Sequence, residues 1–174
     1  MNTEAHSSSE ELFDVVDAGD CVVCSRPRSV VHQQKLLHRA VHVFVFGADN
    51  KLLIHRRSPS KEEFPSVWTS SCSGHVSSGE SYDETAPREL EEELGISDVA
   101  LKMLHKFPAC EDTSWEFTVL YSVMTDQEPV PDPEEITAVL WLSVDEIAAW
   151  LSRSPEEFSP AFRLLFSWYI ESNL

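Results

Sequence analysis

The sequence lacks long apolar runs and contains few cysteines. Its 174 residues include no stretch of about 18 consecutive apolar residues, the length that a transmembrane helix needs, so we expect no membrane span. The first ten residues have neither a basic region nor an apolar segment, which argues against a secretory signal. We therefore expect a cytoplasmic protein with four free thiols. Cys21 and Cys24 form a CxxC pair, but no second pair completes a zinc site, so we expect small buried or half-buried residues.

Basic residues are also scarce. Lys and Arg number 13 against 30 Asp and Glu, which gives a formal net charge of −17. A surface this acidic repels nucleic acid phosphates and anionic membranes, so we expect neither as a partner. A small anionic substrate is still compatible with this charge, because a divalent cation reverses the local potential where it binds.

Length and composition indicate one domain that spans residues 1–174. Residues 1–10 are polar and are expected to be disordered. Residues 11–36 are expected to form an N-terminal hairpin extension, and residues 37–174 the core. Strand patterns alternate with helix patterns along the core, which predicts an α/β sandwich with a mixed sheet between helices.

The predicted elements follow from periodicity and from turn and cap signals. Gly95 is a natural helix terminator, Ser143 with Glu146 is a capping box, and Pro160 suits the first position of a helix. Residues 57–73 are expected to form a loop. The predicted helices cover 81–94 and begin again at Ser143 and Ser159, and the predicted strands lie at 12–17, 21–24, 38–46, 51–56 and near 99–107, 115–125 and 136–142.

The predicted helix at 81–94 carries a cluster of carboxylates. At 100° per residue, Glu89, Glu92 and Glu93 share an arc of about 100°, next to an apolar stripe. Close carboxylates repel one another, and a bound cation relieves that repulsion. Hard oxygen ligands of this kind suit Mg²⁺ or Mn²⁺. The helical pattern alone slightly favours a solvated acidic face over a metal site.

The wider segment 74–96 resembles the signature of the Nudix hydrolase family. The signature specifies a glycine, a glutamate, an Arg-Glu pair, a Glu-Glu pair and a closing glycine at fixed spacing. Nine positions match over 23 residues: Gly74, Glu80, Arg88, Glu89, Leu90, Glu92, Glu93, Gly95 and Ile96.

This resemblance implies a metal-dependent hydrolase that cleaves a diphosphate linkage in a small nucleoside-diphosphate-type or related substrate. It implies that Glu89, Glu92 and Glu93 are catalytic residues and metal ligands, together with the backbone carbonyl of Gly74. Glu92 is also expected to help activate water. Arg88 and Glu80 are expected to pair and brace the helix.

Three upstream segments, at 37–46, 52–57 and 64–75, resemble the isopentenyl-diphosphate isomerase branch of the same superfamily. That enzyme uses a cysteine and a glutamate around a metal held by histidines and glutamates. By position, His38, His75 and Glu116 match metal ligands of that branch, whereas His32 lies one residue out of register. Ser114 stands where a second glutamate is expected.

The cysteine of that branch is replaced here. Ser73 occupies its position, and Cys72, one residue earlier, is expected to face the other side of an extended segment. A hydroxyl is a much weaker acid than a thiol, so hydrolysis is favoured over isomerisation. An isomerase and a non-catalytic Nudix-fold nucleotide-binding module remain the alternatives.

Other candidate residues lie outside the signature. Glu135 is a candidate for an additional catalytic carboxylate, and Glu116 for a metal ligand. Four residues are candidates for substrate binding: Arg56, Arg57, Trp68 and His75. Since Arg56 and Arg57 alternate along a strand, we expect at most one of them to reach a phosphate.

Two expectations concern helices. Pro87 lies within the predicted helix at 81–94, so we expect a late start near Thr85 or a kink. The aromatic residues of the last helix, Phe162, Phe166 and Trp168, are expected to pack in the core. Its apolar face could instead form a homodimer contact.

Overall fold

The computed structural model describes residues 10–173, so most of the N-terminal segment expected to be disordered lies outside the described residues. The elements, in chain order, are β1 (Leu12–Val16), β2 (Val22–Pro27), α1 (Arg28–Gln33), β3 (His38–Phe46), β4 (Leu52–Arg57), β5 (Trp68–Thr69), β6 (Cys72–His75), α2 (Tyr82–Leu94), β7 (Lys102–Phe107), β8 (Glu116–Met124), β9 (Ile136–Leu142), α3 (Val144–Arg153), a 3₁₀ turn (Pro155–Glu157) and α4 (Pro160–Ser172).

The central sheet is mixed and divides into two parts. In the first part, β3 pairs in parallel with β8 along its whole length, β8 pairs with β7, and β6 pairs with β3 over Ala40–Val43. In the second part, β4 lies between β5 and β9. The two parts are joined through the single pair Phe46 and Leu52, so β3 and β4 diverge from that point.

Helices cover both faces of this sheet, because β3 is apolar on each side. Val41, Val43 and Val45 pack in one core cluster with Leu90 and Leu94 of α2. The alternate residue Phe44 packs in the second cluster, which contains residues of α3 and α4. The α/β sandwich with a mixed sheet is therefore confirmed. Within residues 10–173, no helix combines the length and apolar character that crossing a membrane requires.

The expected N-terminal hairpin is present as the two-stranded antiparallel sheet of β1 and β2. Its turn is fastened by Asp20, which accepts a hydrogen bond from Arg39 Nε at 2.6 Å and one from the Tyr82 hydroxyl at 2.9 Å. Lys106 also pairs with Asp20. The short helix α1 that follows β2 lies inside the predicted extension but was not itself predicted, since six residues are too few to show a helical period.

Helix α2 begins earlier than Pro87 suggests. Ser81 caps it, with Glu84 returning the hydrogen bond to the Ser81 backbone, so the helix starts at Tyr82. The expected late start near Thr85 is therefore wrong. The capping box stabilises the first turn and offsets the hydrogen bond that Pro87 cannot donate. Gly95 ends the helix in the left-handed conformation, as predicted.

Two smaller expectations need correction. The predicted loop at 57–73 contains β5 and the start of β6, which are too short to show alternation. Cys21 is exposed in the hairpin turn rather than buried, whereas Cys24 is half-buried; all four thiols are free. The capping box predicted for α3 and the start predicted for α4 at Ser159 and Pro160 are confirmed, and Phe162 and Phe166 are fully buried against the sheet.

Candidate active site

A cleft of about 330 Å³ opens where β3 and β4 diverge. One wall comes from the first part of the sheet and from α2, and the other from β4, β5 and the loops beside them. Because the two parts of the sheet separate here, side chains distant in sequence meet across the cleft. Its lining includes the carboxylates of α2, Arg57, Lys61, His75, Glu116 and Glu135.

The three carboxylates of α2 differ in exposure. Glu93 is buried, and the backbone N–H of Ser73 donates to its Oε2 at 3.2 Å. The Glu89 side chain is 13% exposed, and that of Glu92 is 60% exposed. All three line the cleft, so they lie on one face of α2, as the helical spacing predicts.

Gly74 lies directly against Glu89. A Cβ added at Gly74 would overlap the Glu89 carboxylate, so only glycine lets the backbone come this close. This contact places the residues of β6 beside the α2 carboxylates. An oxygen-ligand site for a hard cation fits such an arrangement.

Arg88 braces the helix as expected. Its Nε and Nη2 donate to the two oxygens of Glu80 at 3.0 and 2.9 Å, a bidentate pair. Its Nη1 donates to Glu89 at 2.8 Å and to Glu92 at 3.0 Å. Arg88 thus offsets part of the repulsion between the carboxylates and orients two of them.

Two of these carboxylates have raised pKa values. Burial raises the pKa of Glu89 to about 7, even though Arg88 opposes the shift. Burial and the neighbouring Glu89 raise the pKa of Glu93 to about 7. A divalent cation would favour the ionised form of both groups, so the residues present fit the metal that the carboxylate pattern implies.

A second set of ligand-type residues meets at the same cleft. His32 of α1, His38 of β3 and His75 of β6 place one ring nitrogen each within 4.8 Å of the others. Within residues 10–173, each Nε2 is buried without a hydrogen-bond partner. Glu116 Oε1 lies 2.9 Å from His75 Nε2 and 3.5 Å from His38 Nε2, although neither contact has hydrogen-bond geometry.

Several contacts hold these rings in place. His38 Nδ1 lies 2.8 Å from the Leu36 carbonyl oxygen, and His75 Nδ1 lies 3.3 Å from Arg28 Nη1. Burial alone would raise the pKa of Glu116, but the adjacent His38 and His75 lower it below its usual range. Three convergent imidazoles with unused nitrogens and a carboxylate form a candidate site for a transition metal.

His32 belongs to this set although its position along the sequence is out of register with the isomerase branch. Counted along the chain it is one residue out of register, yet α1 turns its ring into the cluster, with ring centroids 5.2 Å from His38 and 5.0 Å from His75. Ser114 lines the cleft in place of a second glutamate. Cys72 points into the core and Ser73 faces the cleft, as the alternation predicts.

The opposite wall of the cleft carries two cationic side chains, those of Arg57 and Lys61. The Arg57 Nη2 donates to the Glu63 carbonyl oxygen at 3.0 Å, which fixes the guanidinium at the cleft. Lys61 forms an ion pair with Glu135 and also lines the cleft. Sequence analysis missed Lys61, because a lysine in a polar loop gives no periodic signal; only the fold of 57–67 brings it to the site.

Two of the predicted substrate-binding residues lie elsewhere. Arg56 points away from the cleft, and its Nε donates to the Ser66 carbonyl oxygen at 3.0 Å. Trp68 packs on Trp150, with ring centroids 5.6 Å apart, against the second core cluster. Arg56 points away because side chains alternate along β4, and Trp68 is drawn from the cleft because its large aromatic ring packs against apolar residues. Phe64, by contrast, lines the cleft.

Comparison with known proteins places this architecture in one family. Residues 36–162 match the NUDIX domain family. An isopentenyl-diphosphate Delta-isomerase of Serratia proteamaculans is 34% identical over 158 residues, which cover 88% of each chain. A prenyl-diphosphate phosphatase of Methanosarcina mazei is 32% identical over 156 residues, 87% of this chain and 91% of the phosphatase.

A solved structure agrees with these matches. DR0079 from Deinococcus radiodurans aligns with a TM-score of 0.73 at 30% identity, covering 82% of this chain and 90% of that chain. The family match extends from β3 to the first turn of α4 and includes the whole carboxylate helix and most of the cleft lining. The chain therefore belongs to the Nudix family.

Proposed function

We propose that this protein hydrolyses a diphosphate linkage in a small-molecule substrate, with Mg²⁺ or Mn²⁺ as cofactor. The observation that carries the proposal is the arrangement of charge across the cleft. Glu89, Glu92 and Glu93 stand on one wall, and Arg57 and Lys61 stand on the other. A diphosphate needs both cationic side chains and a divalent cation to offset its charge, and this cleft has residues for each.

Glu89, Glu92, Glu93 and the Gly74 carbonyl are the residues that would hold the cation. A bound cation of this type polarises phosphate oxygens and makes water a better nucleophile. Glu92 is the most exposed of the three carboxylates and is our candidate for orienting and deprotonating water. Glu135 is a second candidate base at the opposite wall, where Lys61 now neutralises it.

Arg57 is the candidate phosphate-binding residue. Its Nε and Nη2 bind backbone carbonyls, whereas its Nη1 makes no hydrogen bond to the part of the chain that the structure describes. This leaves the two N–H groups of Nη1 to donate to phosphate oxygens. Lys61 adds a mobile point charge beside it.

Isomerisation of isopentenyl diphosphate is the second candidate function. The cluster of His32, His38, His75 and Glu116 favours it, since the resemblance assigns a metal of that branch to such residues. Ser73 opposes it, because its hydroxyl cannot replace the acidity of a thiol. The signature carboxylates also remain complete, which favours hydrolysis.

Product release from a panel of diphosphates, with Mg²⁺ or Mn²⁺, tests the proposal. The panel includes isopentenyl diphosphate, with its dimethylallyl isomer assayed separately. We expect metal-dependent hydrolysis by the wild type. Glu92→Gln should lower turnover by about 100-fold or more at unchanged circular dichroism, because a positioned base contributes about that factor.

Glu91→Gln is the matched control, since Glu91 is the exposed neighbour on α2 that does not line the cleft. It should retain wild-type turnover. Near-normal turnover in Glu92→Gln would remove Glu92 from the reaction. Isomer formation without hydrolysis would establish the second candidate function instead.

A further inference from the structure

Three buried polar side chains from different parts of the chain also line the cleft. His42 lies four residues beyond His38 on the same face of β3, roughly 13 Å along the strand. Thr69 belongs to β5, and Ser159 caps α4. These three residues are 5%, 1% and 4% exposed, respectively, and all line the cleft.

The Thr69 and Ser159 hydroxyls do not satisfy each other completely. Their oxygens lie 2.9 Å apart, so one hydroxyl donates to the other. Ser159 Oγ also accepts from the backbone N–H of Phe162 at 3.3 Å. Two hydroxyls sharing one hydrogen bond retain one unused O–H, which within residues 10–173 meets no other acceptor.

His42 likewise retains one unused nitrogen. Its Nδ1 lies 2.7 Å from Ser70 Oγ, and its Nε2 makes no hydrogen bond to any described residue. This Nε2 is not among the fully buried unpaired atoms, so it opens onto the cleft. Burial lowers the pKa of His42 to about 4, and the neutral ring therefore offers Nε2 as a donor or an acceptor, according to its tautomer.

We propose that His42, Thr69 and Ser159 form a subsite for a hydroxylated carbon group, such as a small sugar or polyol, attached to the substrate diphosphate. The inference rests on the proposed function, because the diphosphate end anchors the ligand. A hydrocarbon chain placed here would leave the O–H and the Nε2 unpaired, and buried polar groups left unpaired reject such ligands strongly.

Cleft size narrows the class of substrate further. At about 330 Å³, the cleft is at the lower end of the range for ligand sites. A diphosphate with one small sugar or polyol suits this space better than a dinucleotide. The diphosphate would lie between α2 and Arg57, with the hydroxyls directed towards β3 and α4.

Binding of methylene-bridged analogues to the wild-type protein with Mg²⁺, measured by titration calorimetry, tests the subsite. Their P–C–P bridge resists hydrolysis. The probes are methylenediphosphonate itself, its isopentenyl ester and its ester with the 5-hydroxyl of ribose; the two esters carry equal numbers of carbon atoms. We expect the ribose ester to bind at least about tenfold more tightly than the isopentenyl ester.

Equal or weaker binding of the ribose ester, with methylenediphosphonate bound, would overturn the subsite and leave the proposed function intact. Failure of methylenediphosphonate itself to bind would overturn the proposed function and, with it, this inference. The comparison uses only the wild type, so it does not depend on a variant that folds.

Thr69→Val locates the subsite, since it removes a hydroxyl and keeps the side-chain shape. We expect it to reduce the preference for the ribose ester about tenfold, while the affinity for methylenediphosphonate is unchanged. Thr118→Val is the matched control, because Thr118 is a buried threonine of β8 outside the cleft lining. A full ribose preference in Thr69→Val would overturn the assignment of Thr69.

Discussion

Gly74 and Glu89 illustrate how closely single residues are constrained at the cleft. The Glu89 carboxylate fills the space that a side chain at position 74 would need. Arg88 holds the same carboxylate from the other side at 2.8 Å. A residue without a side chain is therefore required for the carboxylate to reach the cleft, and this steric requirement explains the glycine better than backbone freedom does.

Gly74→Ala should displace Glu89 and weaken the site. We expect the free energy of unfolding to fall by about 1–3 kcal/mol, the usual cost of overpacking, and Mg²⁺ to stabilise the variant less than the wild type. Thermal denaturation with and without Mg²⁺ measures both effects. Gly19→Ala, in the hairpin turn, is the control, since its new Cβ would meet only Asp17 Oδ1 at 3.3 Å. Unchanged stability and Mg²⁺ response in Gly74→Ala would contradict this account.

Helix α2 forms because its N-terminal capping box offsets the unfavourable effect of Pro87 inside the helix. The capping box of Ser81 and Glu84 starts the helix five positions before Pro87. Pro87 has no N–H to donate to the Asp83 carbonyl, so the helix loses one hydrogen bond in its second turn. The proline lowers the stability of α2 without preventing its formation.

Pro87→Ala should accordingly stabilise the protein. We expect a gain of about 2 kcal/mol in the free energy of unfolding, because the restored hydrogen bond outweighs the greater freedom of the unfolded chain. Chemical denaturation measures the change. Pro160→Ala is the control: Pro160 occupies the start of α4, where proline costs nothing, so no gain is expected. A Pro87→Ala variant that is less stable than the wild type would contradict the view that Pro87 destabilises α2.

The buried Asp20 side chain anchors the N-terminal hairpin, in addition to the contacts that β1 makes through Asp14 with Ser78 and Gly79. The Asp20 side chain is 6% exposed and meets Arg39 of β3, Tyr82 of α2 and Lys106 of β7. Although burial opposes the shift, these hydrogen bonds lower the pKa of Asp20. Three core elements thus fix the turn that leads through β2 to α1 and His32.

Asp20→Asn should loosen the hairpin. Hydrogen bonds to a charged group contribute about 1.5–3 kcal/mol, and we expect a loss of that order. Amide hydrogen exchange should accelerate in β1, β2 and α1 more than in β3 and β8. Asp17→Asn is the control, because exposed Asp17 only accepts backbone hydrogen bonds within the turn, which Asn can also accept. If Asp20→Asn accelerated amide exchange equally in the hairpin and in β3 and β8, a local anchoring role for Asp20 would be contradicted.

At the scale of the whole molecule, buried histidines couple stability to pH. His55 lies fully inside the sheet, with its Nδ1 3.0 Å from the Ser71 carbonyl oxygen. Burial lowers its pKa to about 4, and the charges of Arg57 and Lys61, together with His42, act in the same direction. The unfolded chain therefore binds a proton at a higher pH than the folded chain does.

The contribution of His55 should be complete above pH 6.5 and lost as the pH falls towards 4. The loss amounts to about 3 kcal/mol over this interval. His55→Gln, which can still donate to the Ser71 carbonyl, should show a shallower decline in the free energy of unfolding than the wild type. His105→Gln is the control on exposed strand β7. If the free energy of unfolding fell equally with pH in the wild type and in His55→Gln, the assignment of this pH dependence to His55 would be contradicted.

The sequence by itself determined the features that depend on local spacing. The carboxylate face of α2, its end at Gly95, the long strands β3 and β8, and the caps of α3 and α4 follow from short-range periodicity and cap chemistry. The resemblance of residues 74–96 to the family signature also implied the pairing of Arg88 with Glu80, which the structure contains.

Only the tertiary structure decided which distant residues share the cleft. The fold brings His32 to His38 and His75, places Arg57 rather than Arg56 at the cleft, adds Lys61 and packs Trp68 against the second core cluster. It also brings His42, Thr69 and Ser159 into the lining of the same cleft, although 117 positions separate the first from the last. These neighbours depend on where β3 and β4 diverge and on how α1 and α4 pack, and side-chain periodicity along the chain carries no information about such contacts.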